Sequence, residues 1–199
     1  MKRPPDLLGT ATRLIEVIGP DQCLIVGALA VAAHGYVRGT IDVDLISRLP
    51  LAEVVTRLRG AGIEATLKKG DTLEGDFPCV KGTLNGVRFD ILPPLVMLHW
   101  ERAETLLLED RELRVVDLDA LFRLKMRAGG PKDLLDAAML ALIRPEEKEK
   151  ALAAAAAYRL EDRFLRFLED PRLEAQARDH RAGSPRRRTP KRTRGRPRR

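Results

Sequence analysis

The sequence predicts an α/β (α+β) chain in which a small mixed sheet is flanked by helices, and three observations carry that reading. The first is the stretch QCLIVGALAVAAHGYVRGTIDVDLIS, Gln22 to Ser47, where an apolar run, a glycine and a run of helix formers precede an alternating strand. The second is Asn85-Gly86, a hairpin dipeptide set between two alternating runs, Cys79 to Leu84 and Val87 to Leu92. The third is a series of amphipathic helical patterns before, between and after these strands.

Taken in order, Pro5 to Ile18 reads as a helix with one apolar stripe through Leu7, Leu8, Ala11, Leu14, Ile15 and Ile18, ended by Gly19-Pro20-Asp21. Cys23 to Val26 is short and β-branched enough for a buried strand, and Gly27 turns it directly into a helix over Ala28 to Ala33. Such a junction presents backbone N–H groups with no helical partner, which suit an anion such as phosphate. Ile41 to Ser47 alternates Ile41, Val43 and Leu45 against Asp42 and Asp44, so period two sets both carboxylates on one face. Pro50 opens an amphipathic helix through Leu58, closed by Gly60 and Gly62, and Ile63 to Leu67 reads as a short strand. Lys68 to Pro78 reads as a loop, solvated or close to a substrate.

Beyond Pro93-Pro94, Leu95 to Glu109 is expected to be helical, with His99 a packing residue, and Leu113 to Val116 an edge strand. Asp117 caps a helix over Leu118 to Ala128, Gly129-Gly130 closes it, and Pro131 starts another over Lys132 to Ile143. Pro145 opens a last helical region, alanine-rich at Ala151 to Ala157 and amphipathic from Tyr158 to Leu168. From Pro171 onward the apolar pattern is lost. The expected organisation is a sheet core over 1–116, a helical region over 117–170 and a disordered basic tail over 171–199.

Composition bounds the function. The 199 residues, 44% hydrophobic, suffice for one ordinary core. The longest apolar run, Cys23 to Ala33, is too short to cross a bilayer, and the N-terminus MKRPPDLL lacks an apolar signal region, so a cytoplasmic protein without a membrane partner is expected. Cys23 and Cys79 sit in strand patterns and read as reduced core thiols, and no zinc-ligand spacing is present. The formal charge of +7 is uneven: residues 181–199 hold ten Lys or Arg and no acid, which leaves 26 basic against 29 acidic residues before them.

Two carboxylates side by side on a core-like strand repel each other and are poorly solvated, so a fold keeps them more readily when a cation neutralises them. Mg²⁺ suits, since it takes a few hard oxygen ligands and leaves positions for triphosphate oxygens. Gly27, Ala28, His34, Gly35, Arg38, Thr40, Asp42, Val43, Asp44 and Leu45 together resemble the signature of the minimal nucleotidyltransferases of the polymerase-β superfamily, with the AbiEii- and MNT-type prokaryotic toxins as look-alikes. The resemblance implies the nucleotidyltransferase fold and transfer of a nucleoside monophosphate from a nucleoside triphosphate to a hydroxyl. It implies two Mg²⁺ ions on three acids, with Asp90 of the second hairpin strand as the third after Asp42 and Asp44. Gly27 and Ala28 would cradle phosphate through backbone N–H, with Arg38 and Thr40 assisting, and His34 and Gly35 would close the motif helix. LDALFRLKMRAGGPKDLLDAAML is similar to a second feature of these proteins, which makes Lys125 the triphosphate lysine and Lys132, Asp133 and Asp136 orienting residues. Read from spacing alone, Lys132 and Asp136 are an i,i+4 surface pair.

The chain departs from the usual Gly-Gly or Gly-Ser turn in having Ala28, which offers no hydroxyl to phosphate. Three functions remain open: a toxin-like transferase acting on RNA, with a cognate antitoxin; a transferase acting on a protein or small molecule; and a nucleic-acid-binding or antitoxin-like module of the same fold without catalysis. The tail from Arg181 to Arg199 is the expected RNA or DNA contact, and Gly195-Arg196-Pro197 within it resembles an AT-hook core.

Overall fold

A computed structural model describes residues 6–70, 77–94 and 98–183. The strands are β1 (Cys23–Ile25), β2 (Asp42–Ser47), β3 (Ala65–Lys68), β4 (Cys79–Leu84), β5 (Val87–Leu92), β6 (Glu104–Leu108) and β7 (Arg111–Val115). They form one sheet in the order β3-β4-β5-β2-β1-β7-β6. β2 runs parallel to β5 and antiparallel to β1, and β5 runs antiparallel to β4. The sheet is therefore mixed, as expected. Asn85 and Gly86 both take positive φ, 53° and 80°, which closes the β4–β5 hairpin with the twist that its strands need.

The helices are α1 (Leu7–Ile18), α2 (Gly27–Ala33), α3 (Leu51–Gly60), α4 (Leu118–Ala128), α5 (Pro131–Ile143), α6 (Lys148–Ala157), α7 (Glu161–Leu168) and α8 (Pro171–Gly183). α1 and α3 pack on the sheet and on each other, and α4 to α8 pack together, joined to the strands through α2. One core runs through all of these, with Phe89, Phe122, Phe164, Leu14 and Leu58 among its fully buried side chains. Local signals set the ends: the Asp6 carboxylate accepts from the Gly9 N–H, the Asp117 carboxylate accepts from the Ala120 N–H, and Gly129 ends α4 with φ 62°. Cys23 and Cys79 are buried and form no disulfide, and burial pushes the Cys23 thiol up to about 12. Among the described residues no helix is long and apolar enough to cross a membrane.

Five expectations are corrected. Over Leu95 to Glu109, residues 95–97 lie outside the described residues and the rest holds a short turn at Trp100–Arg102 and then β6. Its alternation half-buries Glu104, Leu106 and Leu108, and Glu109-Asp110, both at positive φ, turns it into β7. β7 is not an edge, because it lies between β1 and β6. His99 is exposed, its Nδ1 3.3 Å from the Glu101 carboxylate, and not partly buried as a packing residue would be. The chain after Pro171 forms α8 instead of losing order: the Asp170 carboxylate accepts from the Arg172 N–H, Ala177 is fully buried, and Arg181 donates to the Leu142 carbonyl at 2.8 Å. Residues 184–199, with the hook-like Gly195-Arg196-Pro197, lie outside the described residues. Ile41 also differs, standing before β2 and 63% exposed.

Candidate active site

The parallel register of β2 and β5 sets Asp44 directly opposite Asp90 and Asp42 opposite Arg88. Paired residues on neighbouring strands share a face, so the three expected acids stand together there. The opposite face carries Val43, Leu45, Phe89 and Ile91, all fully buried. The apolar face thus anchors the two strands, and the acid face is left for chemistry.

Gly27 comes against these acids from α2. It holds φ 61°, and a Cβ there would overlap the Asp44 carboxylate. Two independent constraints therefore require glycine: a left-handed backbone and the close approach of a side chain. Val26 N–H donates to the Asp44 carbonyl at 3.0 Å, which ties the turn to β2. Gly27→Ala is expected to lose about 1–3 kcal/mol in urea denaturation and to displace Asp44. An unchanged midpoint would remove the claim that this turn and Asp44 are fitted to each other.

Asp44 is the strained member. Burial first, then the charges of Asp42 and Asp90, push its carboxyl up to about 6, against the opposing pull of Lys125 and Arg38. Its neighbours have partners: the Thr40 hydroxyl donates to Asp42 at 2.5 Å, and the Lys81 ammonium donates to Asp90 at 2.9 Å. Among the described residues no group of three or more acids, histidines or cysteines is gathered closely enough to hold a metal ion as it stands. The donor set still fits a hard divalent cation in chemistry, with oxygen ligands only and a carboxylate that burial first, and its acidic neighbours second, push up, a cost that a cation would relieve.

Arg38 and Lys125, both expected to face triphosphate, meet at Asp136. Arg38 donates to its two carboxylate oxygens at 2.6 and 2.7 Å, and Lys125 reaches it at 2.8 Å and Asp133 at 2.9 Å. Asp136 is fully buried, so the surface-pair reading of Lys132 and Asp136 is corrected: Asp136 turns inward and Lys132 stays exposed. Burial pushes the Asp136 carboxyl up, but the hydrogen bonds and charges of Arg38 and Lys125 prevail and hold it below its ordinary value. Lys125 is raised despite burial, because Asp136 and Asp133 favour its charged form. Both cations are near enough to Asp44 to stabilise its ionised form.

The remaining motif residues begin or end α2. His34 is buried, its Nε2 2.8 Å from the Val116 carbonyl oxygen, and Gly35 leaves α2 with φ 119°. Ala28 is buried within the first turn of α2. Arg127, given no role by sequence, stacks on Phe77 with 3.9 Å from guanidinium to ring centroid. Sequence reasoning missed Lys68, Lys81 and Arg88, which the register of β3, β4 and β5 places on the acid face. The alternation Lys81, Thr83 in β4 and Arg88, Asp90 in β5 was the signal that could have found them.

A mixed sheet carrying an acid pair behind a glycine turn, with a third acid on the parallel neighbour, defines the class: the chain has the nucleotidyltransferase fold. A Thermotoga maritima protein described as a candidate nucleotidyltransferase superposes with TM-score 0.52 at 12% identity, over 65% of this chain and 88% of that one. ANT(2″)-Ia, solved with adenylyl-2″-tobramycin, gives TM-score 0.44 at 14% identity over 87% of this chain and 98% of its own. An antigenic nucleotidyltransferase-like protein from Paracoccidioides brasiliensis gives TM-score 0.46 at 14% identity, over 87% and 93%. No family model matches the chain, and no curated protein matches it in sequence.

Proposed function

We propose that this chain transfers a nucleoside monophosphate from a nucleoside triphosphate to a hydroxyl acceptor, on the face that carries Asp42, Asp44 and Asp90. The observation that carries the reading is the fit of Gly27 against Asp44 with Asp90 in register beside it, within a nucleotidyltransferase fold. In the reaction the acceptor oxygen attacks the α-phosphorus, the α–β anhydride bond breaks, pyrophosphate leaves with the electron pair, and the acceptor's proton passes to water.

Asp42, Asp44 and Asp90 would hold two Mg²⁺ ions, which when bound acidify the acceptor hydroxyl and neutralise the leaving pyrophosphate. Gly27, bare of a side chain, lets phosphate oxygens approach the backbone at the start of α2. Thr40 orients Asp42, and Lys81 holds Asp90 until a cation takes its place. Asp136 fixes Arg38 and Lys125 beside the acids, where their charges favour the ionised form of Asp44 and attract an anionic donor. The toxin-like resemblance and the ten cations of residues 181–199 favour RNA as acceptor, with an antitoxin as the natural restraint on such an activity.

The test is incubation with each α-labelled ribonucleoside triphosphate, Mg²⁺, and total RNA or protein as acceptor. Label in RNA is the expected result, and removing residues 184–199 should lower it by roughly 10-fold or more at moderate salt. Label confined to protein or to a small molecule, untouched by tail removal, would overturn the RNA reading. No label with any acceptor, together with nucleic-acid binding retained in Asp42→Asn, would favour a binding module without catalysis.

A further inference from the structure

The register of the sheet continues past the acids. One rung runs Asp44, Asp90, Lys81, Thr66 across β2, β5, β4 and β3, and the next runs Asp42, Arg88, Thr83. Lys68 stands two residues beyond Thr66 on the same face of β3. Together they bound a groove of about 510 Å³, with Asp42 and Asp90 on its side nearest the acids. Strands lie about 4.8 Å apart, so its cations stand roughly one or two strand widths from the carboxylates. Lys68, Lys81, Arg88 and Thr66 are all exposed, and among the described residues neither Lys68 nor Arg88 forms an ion pair.

From this arrangement we infer that the β3–β4–β5 face binds the phosphodiester backbone of the acceptor, which makes the acceptor a nucleic-acid strand presenting its hydroxyl to Asp42 and Asp90. The inference rests on the transfer reading above and names the surface that would hold its acceptor. Charge decides it: three cations face the groove against two carboxylates that divalent ions would neutralise, so a polycationic acceptor is repelled and a polyanionic one is held. Repetition decides further. The cations are spread along three strands on successive rungs, which matches a chain of phosphates better than one isolated phosphate group. Lys81 links the two functions, because a phosphate that takes its ammonium releases Asp90 from their ion pair.

The test is fluorescence anisotropy of a short labelled single-stranded RNA with the full chain, in EDTA and without nucleotide, over a series of salt concentrations. Lys68→Ala combined with Arg88→Ala should weaken binding about 10-fold and lower the slope of log affinity against log salt by about 1.4, at about 0.7 per lost phosphate contact. Arg166→Ala with Arg172→Ala removes equal charge from exposed positions of α7 and α8 and should leave both quantities unchanged. Unchanged affinity and slope in the groove variant, or equal loss in the α7–α8 variant, would overturn the proposal. A phosphopeptide that displaced the RNA as effectively at equal phosphate concentration would overturn the assignment to nucleic acid. Binding is read here without metal or turnover, so its failure leaves the transfer reading standing, and failure of transfer leaves the groove standing.

Discussion

Asp44→Asn is expected to abolish nucleotidyl transfer and, with EDTA present, to stabilise the protein at neutral pH. The two effects share one cause. Asp44 is half-buried between Asp42 and Asp90, and its carboxyl titrates near 6 in the fold against about 3.8 for an ordinary aspartate. The fold therefore binds a proton there more tightly than the unfolded chain does. As pH rises through about 6 that advantage is lost, and ionised Asp44 weakens the metal-free fold by on the order of 2 kcal/mol. Asparagine keeps the shape without the charge, so Asp44→Asn should raise the denaturation midpoint at pH 7.5 and leave it nearly unchanged at about pH 3, below the pKa of an unfolded aspartate. Transfer should fall by roughly 10³-fold or more, because a neutral amide is a poor ligand for Mg²⁺ and Asp44 is the acid that Gly27 is fitted to. A variant no more stable at pH 7.5 than the parent would show that the three acids do not strain the fold. A variant that transferred at the parental rate would remove Asp44 from the chemistry.

Asp136→Ala is expected to be among the most destabilising single changes in the chain, by about 3–5 kcal/mol. Its carboxylate is fully buried and satisfies the Arg38 guanidinium and the Lys125 ammonium at once. Removing it leaves two cations facing each other, one of them almost wholly buried, with only Asp133 left to Lys125. Lys132→Ala, four residues earlier on the same helix but exposed, should stay within about 0.5 kcal/mol of the parent. Chemical denaturation of both variants separates the two environments; similar small losses would restore the surface-pair reading of these residues. Lys125→Ala, leaving Asp136 with Arg38, should instead raise the KM for nucleoside triphosphate.

The parts of the molecule that sequence made legible are those whose causes are local. Gly27 follows a three-residue buried strand and precedes helix formers, so the strand–turn–helix at the site could be read directly. Asn85-Gly86 fixed the β4–β5 hairpin and thereby the face of Asp90. β6 escaped because Glu104 to Leu108, ETLLL, shows no clean apolar–polar alternation and no recognisable turn signal follows it: Glu109-Asp110 adopts a conformation more usual for asparagine and glycine. Asp136 was named as an orienting residue by the family resemblance, but spacing alone misplaced it. Its partner Arg38 is 98 residues away in the chain, and four-residue spacing to Lys132 imitates a surface pair that only tertiary packing dissolves. The start of α8 was within reach, since Asp170 followed by Pro171 is a helix-opening pair, but the weak apolar pattern beyond it concealed the helix. The cationic rungs required knowing that β5 lies beside β2 and β4 beside β5, which alternation within single strands cannot supply.

The central claim is that Asp42, Asp44, Asp90 and the Gly27 turn together form a site for a metal-bound nucleoside triphosphate. Its most direct test is calorimetric titration of a non-hydrolysable triphosphate analogue, with and without Mg²⁺, into the parent chain and into Asp44→Asn, since no acceptor need be known. The account predicts Mg²⁺-dependent binding to the parent that weakens by at least about 10-fold in the variant. Equal affinity in the two proteins, or binding to the parent indifferent to Mg²⁺, would contradict it.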